Sequence, residues 1–167
     1  KMKLAKAGDD EAKFAVGEAY ELGLGTTPDL FSAAKWYRDV ALKGNLEAQY
    51  RLAKIIRDGA KGLRKDLPSA VTLLTDAATK SHAGAQFEMG LMYEAGLGVE
   101  KSDEKAIEWY GKASGQGHAG AQRNLGLMYV FGKGIKADAK TAAELFQKAA
   151  DLEDGWAANN LAGLYEQ

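Results

Sequence analysis

Three short motifs contain residue types that could support chemistry. The first, "GQGHAG" at residues 115–120, matches the G-x-G-x-x-G pattern that binds a dinucleotide pyrophosphate at a helix N-terminus. That site requires a preceding strand and a βαβ unit around it. Here a helical segment, "DEKAIEWYGKAS", precedes the motif, and equivalent junctions read "LKGNLEA", "TKSHAGA" and "DLEDGWA". We therefore interpret the motif as a turn and expect no cofactor.

The second motif is S-x-x-K, which occurs as "SAAK" (32–35) and "SDEK" (102–105). Serine enzymes that recognise penicillin use this motif together with separate S-D-N and K-T-G elements. The chain contains neither element. Ser102 is expected to cap a helix, Ser32 to lie in the first turn of one, and both lysines to lie on helix surfaces. No catalytic residue is predicted.

The third motif is a pair of histidines, His82 and His118, at equivalent positions three residues before an alanine. The chain has no cysteine, and no carboxylate pattern accompanies the histidines. A metal site needs three or four converging ligands. The histidines are therefore interpreted as polar turn residues, and no metal is expected.

The elements that position these residues form a repeat. Five segments align: "AKFAVGEAYELG", "AQYRLAKIIRDG", "AQFEMGLMYEAG", "AQRNLGLMYVFG" and "AANNLAGLYEQ", and their first alanines are Ala12, Ala48, Ala85, Ala121 and Ala157. Each of the first four is followed by a Gly-rich linker and a second segment such as "DEKAIEWYGKASGQG". Apolar residues in both segments recur at helical spacing, so each repeat is predicted to be a pair of helices.

Glycine and other small residues support this interpretation. The first glycine of each linker lies where a helix end favours a left-handed residue, and the Asp or Ser that follows suits a helix cap. A second column of small residues lies in the middle of the first helix and comprises Gly17, Ala53, Gly90, Gly126 and Ala162. Glycine is unfavourable there unless another helix packs closely. Gly90, Gly126, Tyr93 and Tyr129 are therefore predicted to be buried between helices. The recurring Trp36, Tyr37, Trp109 and Tyr110 are assigned to the core.

The spacing Ala…Leu-Gly-x-x-Tyr…Gly-x-Gly…Asp…Ala-x-x-Trp-Tyr-x-Lys-Ala resembles the Sel-one-like repeat, a relative of the tetratricopeptide repeat. The resemblance implies an all-α fold: a right-handed superhelical α/α solenoid of antiparallel helix pairs with a 36-residue period. It covers a single repeat domain, 1–167, with repeats at 12–47, 48–84, 85–120 and 121–156 and partial repeats at 1–8 and 157–167. The second copy departs most, at Ile56, Leu73, Ala60 and Lys61, so its local packing is expected to differ.

Charge and hydropathy exclude some classes of partner. There are 22 Lys and Arg against 23 Asp and Glu, which does not favour nucleic acid. No apolar run approaches 18 residues, so no membrane insertion is expected. The composition does not decide the compartment, although the resemblance favours the periplasm or secretion over the cytoplasm. A monomer is expected. The sequence begins and ends within a repeat, so we expect it to be a piece of a longer array of repeats.

Positions that vary between the repeats are the candidates for binding. The resemblance implies that first helices line a concave surface. The candidate partner-binding residues there are Phe14, Glu18, Tyr50, Arg51, Lys54, Arg57, Phe87, Glu88, Leu91, Arg123, Asn124, Leu127 and Asn159. Aromatic and apolar side chains edged by polar groups suit an extended peptide or a partner helix. Arg51, Lys54 and Arg57 are expected to engage the partner's carboxylates or carbonyl groups.

The sequence therefore predicts a non-enzymatic scaffold or adaptor that binds a protein or peptide partner in its groove. One alternative is a structural spacer within a larger multidomain protein. Another is a weak hydrolase, since some cysteine-rich relatives have been called β-lactamases. A sugar- or polymer-binding groove is compatible with the aromatic residues but has no positive support.

Overall fold

A computed structural model describes residues 9–165, and within them every regular element is a helix. The helices are α1 (Asp10–Leu22), α2 (Leu30–Ala41), α3 (Leu46–Asp58), α4 (Leu67–Thr79), α5 (Ala83–Ala95), α6 (Asp103–Gly115), α7 (Ala119–Phe131), α8 (Ala139–Ala150) and α9 (Gly155–Tyr165). The predicted all-α helical repeat fold is confirmed. The partial repeat predicted at 1–8 lies outside the described residues, as do the last two residues of the partial repeat at 157–167.

Side-chain caps set the starts of the helices. A side chain at each N-cap accepts a hydrogen bond from a backbone N–H two or three residues later, which satisfies a donor that the helix itself leaves unpaired. The caps are Asp9, Asp29, Asn45, Asp66, His82, Ser102, His118, Asp138 and Asp154. Ser102 caps α6 and Ser32 lies in the first turn of α2, as predicted.

Glycines end the first helices, and a recurring hydrogen bond turns the chain back. Gly23, Gly96 and Gly132 have φ of 71°, 70° and 61°, in the left-handed region that glycine adopts without steric cost. The N–H of the following cap then donates to a carbonyl in the last turn of the first helix, as from Asp29 to Tyr20 at 2.8 Å. The same bond recurs from Asp66 to Ile56, from Ser102 to Tyr93 and from Asp138 to Tyr129.

The second linker is one residue longer than the others, and a local bridge accommodates it. Ala60 and Leu63 exchange two backbone hydrogen bonds of 3.0 and 2.8 Å, and Gly62 has φ of 82°. This isolated bridge is a turn within the linker and not a strand.

Within each helix pair, a small residue of the first helix lies under a large residue of the second. An ideal Cβ on Gly17 would come within 2.7 Å of Tyr37, and one on Gly90 within 2.4 Å of Tyr110. Gly90 and Gly126 are buried, as predicted. The helices of a pair are antiparallel. Lys13 of α1 contacts Asp39 of α2, and Gly17, later in α1, contacts Tyr37, which comes earlier in α2.

Four aromatic residues that were assigned to the core are only partly buried. Tyr93 and Tyr129 are half-buried, so the prediction of full burial is wrong for them. Trp36 and Trp109 are also half-buried, whereas their neighbours Tyr37 and Tyr110 are fully buried. Two of these four rings have a cation nearby: Lys105 Nζ lies 5.2 Å from the Tyr93 ring centre and Lys112 Nζ 4.2 Å from that of Trp109. A cation over an aromatic face is compatible with water on one side of the ring.

The chain divides into two compact units, residues 1–80 and 81–167. The first unit contains α1–α4, and its buried residues include Tyr37, Val40 and Leu74. The second unit contains α5–α9. Its core surrounds Tyr110 and Met128, and a neighbouring cluster around Phe146 packs against α9.

Candidate functional site

The candidate residues lie on the first helix of each pair, and we call their surface the first-helix face. In the first unit it comprises Phe14 and Glu18 of α1 and Tyr50, Arg51, Lys54 and Arg57 of α3. In the second unit it comprises Phe87, Glu88 and Leu91 of α5, Arg123, Asn124 and Leu127 of α7, and Asn159 of α9. Most of these side chains are half-buried. Two differ: Glu88 is buried, with 5% of its surface exposed, and Asn159 is exposed.

A buried tyrosine and a glutamate form the centre of the first unit's face. The Tyr37 hydroxyl donates to Glu21 Oε2 at 2.6 Å. Arg51 Nη1 lies 3.1 Å from the same carboxylate oxygen and 3.4 Å from the tyrosine hydroxyl. Burial, with a further contribution from the bond to Glu21, raises the pKa of Tyr37. The tyrosine therefore remains protonated, and its hydroxyl donates a hydrogen bond to the Glu21 carboxylate.

Arg51 is surrounded by acceptors from its own unit. Its Nε bonds Glu47 Oε1 at 2.6 Å, its Nη1 lies 3.2 Å from Glu18 Oε1, and its guanidinium carbon lies 5.4 Å from the Phe14 ring centre. Burial acts to lower the pKa of Arg51, but hydrogen bonds led by that to Glu47 raise it overall. The guanidinium is therefore charged and pairs with three glutamates of its own unit. Its contact with a partner's carboxylate stays a prediction.

The other two basic residues of α3 also have partners within the first unit. Lys54 Nζ lies 5.0 Å from the Tyr50 ring centre and 3.3 Å from its hydroxyl oxygen. Arg57 makes two hydrogen bonds to Asp58, of 2.7 and 2.9 Å, and the bond with Arg57 lowers the pKa of Asp58. The face therefore presents half-exposed aromatic rings between compensated charges.

The second unit contains the same tyrosine–glutamate pair. The Tyr110 hydroxyl donates to Glu94 Oε2 at 2.7 Å, and Asn124 Nδ2 donates to the tyrosine oxygen at 3.2 Å. Lys133 Nζ bonds Glu94 Oε1 at 2.8 Å. Burial acts to raise the pKa of Glu94, but the bonds from Lys133 and Tyr110 lower it overall.

These pairs were not predicted, although the sequence contains a signal for them. Glu21 and Tyr37 are 16 residues apart, as are Glu94 and Tyr110. The following repeat supplies the third member of each group, Arg51 or Asn124, from equivalent positions. A search for polar pairs that recur at one spacing would have identified the glutamates.

Three apolar side chains, Phe87, Leu91 and Leu127, lie on the face of the second unit. Phe87 stacks on His118 with ring centres 4.5 Å apart and lies 5.8 Å from Tyr110. Leu91 and Leu127 are half-buried against the two clusters of the unit's core. This leaves a partly exposed apolar surface that crosses from α5 to α7.

Polar groups border this apolar surface and are engaged within the second unit. Arg123 Nη1 bonds both oxygens of Asp154, at 3.1 and 2.8 Å. Asp154 also accepts from the N–H of Ala157, so Arg123 holds the capping residue of α9.

The histidines are helix caps. His82 Nδ1 accepts from the N–H of Ala85 at 3.1 Å, and His118 Nδ1 accepts from that of Ala121 at 3.2 Å. Burial lowers the pKa of His118. In "GQGHAG", α6 ends, Gly117 adopts φ of 79°, and α7 begins, so the motif is the predicted turn. Within residues 9–165 no group of three or more potential ligands is placed to hold a metal.

In both S-x-x-K motifs the serine hydroxyl donates to a neighbouring carboxylate, Asp29 for Ser32 and Glu104 for Ser102, and not to the lysine of the motif. Lys35 Nζ lies 4.2 Å from the Phe31 ring centre, and Lys105 stacks on Tyr93. The Ser32 hydroxyl donates to Asp29 at 2.6 Å. That bond lowers the pKa of Asp29, which makes the carboxylate a weaker base. Of the helices in the described part of the chain, none has the length and apolar character to span a bilayer.

Comparison with known proteins identifies related sequences. Residues 10–45, 46–82, 83–118 and 119–154 each match the family model of the Sel1 repeat; these segments begin two residues before the predicted repeats. The solved structure of a Sel1 repeat protein from Oxalobacter formigenes is 30% identical, with a TM-score of 0.89, and the match covers 99% of this chain and 67% of that one.

Two curated relatives match over shorter segments. Protein SHC1 of Saccharomyces cerevisiae is 35% identical over 57% of this chain and 18% of its own length. The mouse DAP3-binding cell death enhancer 1 is 32% identical over 55% of this chain and 20% of its own length. The chain thus matches about a fifth of each relative.

Proposed function

Because the chain belongs to the Sel1 repeat family, we propose that it is a non-enzymatic interaction module. Its first-helix face binds an extended peptide or a helix of a partner protein. One of the relatives bears the name of a binding protein, DAP3-binding cell death enhancer 1, which supports a role in protein interaction.

The observation that carries the proposal is a contrast between two sets of positions on the same helices. The small residues that recur between repeats, such as Gly90 and Ala121, are buried and hold the helix pairs together, and the recurring Tyr93 and Tyr129 are half-buried against the core. Positions that vary, such as Tyr50, Phe87 and Leu127, keep large apolar groups half-exposed. Partly exposed aromatic groups beside polar ones are typical of surfaces that bind other proteins.

The two units offer different chemistry to a partner. In the second unit, Phe87, Leu91 and Leu127 suit apolar side chains at helical spacing. In the first unit, Glu18, Glu21 and Glu47 pair with Arg51 and lie beside the half-exposed rings of Phe14 and Tyr50. That part of the face suits an extended peptide with both apolar and polar side chains.

Site-specific photocross-linking in the native cells tests the proposal. Benzoylphenylalanine replaces Tyr50 or Leu127 in the full-length protein, because both side chains are half-exposed and tolerate an aromatic ring. Gln147, an exposed residue of the second helix α8, is the matched control. Mass spectrometry identifies the polypeptides linked after irradiation.

We expect position 50 or 127 to capture at least one defined polypeptide that position 147 does not capture. Equal capture at all three positions would contradict the proposal. The absence of capture at every position would favour a structural spacer instead.

A further inference from the structure

The first unit contains a pocket that the first-helix face does not include. It has a volume of about 670 Å³ and lies among α2, α3, α4 and the linker between α3 and α4. Apolar side chains line its interior, including Leu52, Ile56, Leu63 and Leu73. The volume is within the usual range for ligand sites, about 300–1,000 Å³.

The pocket coincides with the departures of the second repeat from the others. Ile56 occupies the position of Tyr93, and Leu73 occupies that of Trp109. Ile56 replaces a tyrosine that every other copy has, whereas leucine at the position of Leu73 also occurs in the fourth repeat, as Leu145. Both aliphatic side chains are smaller than the rings, which leaves space beside α4. Leu63 belongs to the linker that contains the extra residue and the local bridge. Among the four repeats that have both helices, only the second combines Ile56, Leu73 and the longer linker, and the pocket lies at this combination.

Cationic side chains surround the pocket. Arg38 comes from α2, and Arg64 and Lys65 come from the linker. Within the described residues, neither Arg38 nor Arg64 forms a side-chain hydrogen bond or an ion pair. The other linkers carry Thr27-Pro28, Glu100-Lys101 and Lys136-Ala137 at the positions of Arg64 and Lys65, so only the second linker is basic at both.

The lining also contains one carboxylate, Asp66, which already accepts hydrogen bonds as a helix cap. Asp66 caps α4 and accepts hydrogen bonds from the N–H and the hydroxyl of Ser69, at 3.1 and 2.6 Å. Three cations and one anion leave the lining with a charge of +2, whereas the whole chain has a net charge of −1. This local excess of positive charge favours an anionic occupant.

We propose that this pocket binds a short acidic segment of a partner protein. A large apolar side chain of the segment enters between Ile56 and Leu73, and flanking carboxylates pair with Arg38, Arg64 and Lys65. The pocket is open, since Leu42 on its edge is 82% exposed. An open pocket leaves an acyl chain in contact with water, whereas a peptide needs contact on one side only. This favours a peptide over a lipid.

Selection from a random dodecapeptide phage library tests the proposal. The purified protein is the target, and a variant with Leu73→Trp and Arg64→Glu removes peptides that bind elsewhere. Tryptophan already occupies the equivalent position in two repeats, at Trp36 and Trp109, so the variant is compatible with the fold; circular dichroism checks this. Selected peptides are then synthesised with fluorescein, and their Kd is measured by fluorescence polarisation.

We expect the selected peptides to combine Asp or Glu residues with one large apolar residue. Arg64→Glu alone should weaken their binding about tenfold or more, and added salt should weaken it further. Lys136→Glu is the matched control, because it reverses the charge at the equivalent exposed position of the fourth repeat, and it should leave the Kd unchanged.

Three results would overturn the proposal. One is a failure to enrich peptides, and another is enrichment of peptides without acidic residues. The third is pocket-dependent binding of phosphatidylglycerol vesicles in place of peptides. The test is independent of the first-helix face, since photocross-linking at Tyr50 should be unaffected by Arg64→Glu.

Discussion

The ring of Phe146 lies against Gly126, so that an ideal Cβ on this glycine would be 2.6 Å from Cε1 of the phenylalanine. Tyr37 and Tyr110 are placed in the same way against Gly17 and Gly90. In the second repeat the two positions are occupied by Ala53 and Leu74, and both are fully buried. A larger residue on one helix therefore accompanies a smaller residue on the other.

This relationship predicts the effect of a single methyl group. Gly126→Ala should destabilise the chain by about 1–3 kcal/mol, because the methyl group displaces the buried ring of Phe146. The higher helix propensity of alanine offsets part of this cost. The change in the free energy of unfolding is measured by urea denaturation.

A double-mutant cycle provides the control. Adding Phe146→Leu to Gly126→Ala recreates the Ala53–Leu74 combination, so the double variant should lose less stability than the sum of the two single variants. Additive losses would show that the ring does not account for the glycine.

Arg51 is predicted to neutralise the three glutamates around it. Arg51→Gln should lower the melting temperature, because Glu18, Glu21 and Glu47 then repel one another. Sodium chloride should reduce the difference from the unaltered protein, since the screening length falls from about 10 Å at 0.1 M to about 3 Å at 1 M. Thermal melts at both salt concentrations measure this. A difference that salt does not change would assign Arg51 a packing role instead.

Glu94 should stabilise the second unit in a pH-dependent manner. Its pKa lies below the ordinary value of 4.5, chiefly because bonds from Lys133 and Tyr110 outweigh burial. A carboxylate with a lowered folded pKa stabilises the protein above its unfolded pKa, and this stability is lost as the pH falls through the folded value. Glu94→Gln should therefore lower the melting temperature at pH 7, and the difference should shrink progressively below about pH 4.5.

Melting curves from pH 3 to pH 8 check this prediction. Glu100→Gln, at an exposed position in the neighbouring linker, should melt like the unaltered protein at pH 7. A difference for Glu94→Gln that is constant with pH would show that its carboxylate does not account for the stability.

Glu153 adopts a backbone conformation that glycine prefers. Its φ is 64°, and the equivalent residues Gly44 and Gly117 have φ of 89° and 79°. Glu153→Gly should stabilise the chain by about 0.5–1 kcal/mol, because relief of the left-handed strain exceeds the added entropy of the unfolded chain.

The reverse substitution is the control for Glu153→Gly. Gly117→Ala should destabilise through its backbone alone, since no atom outside its immediate neighbours lies within 4 Å of its ideal Cβ. Urea denaturation measures the free energy of unfolding of each variant. If neither Glu153→Gly nor Gly117→Ala changes it, strain in the left-handed backbone at these two positions is ruled out.

The features of this fold that depend on local or repeated interactions can be predicted from the sequence. Helix caps such as Ser102 and left-handed glycines such as Gly23 interact only with residues a few positions away. Their residue types therefore identify helix ends from the sequence alone. Gly90 and Gly126 were recognised because the same unfavourable residue recurs mid-helix. Tyr93 and Tyr129 were assigned too much burial, since periodicity identifies the inward face of a helix but not how far the next helix covers it.

The sequence by itself therefore determined the all-α repeat fold, the helix ends and the positions that vary between repeats. Only the tertiary structure decided which varied positions remain accessible: Glu88 is buried, whereas Phe87 beside it is half-exposed. It also decided that Arg51 pairs with Glu18 and Glu21 of α1, in addition to Glu47 on its own helix, and that the second repeat contains a pocket. The physical reason is that the accessibility of these side chains and their charge pairs depend on residues far apart in the chain. The spacing of residues in the sequence does not give the distances between such side chains.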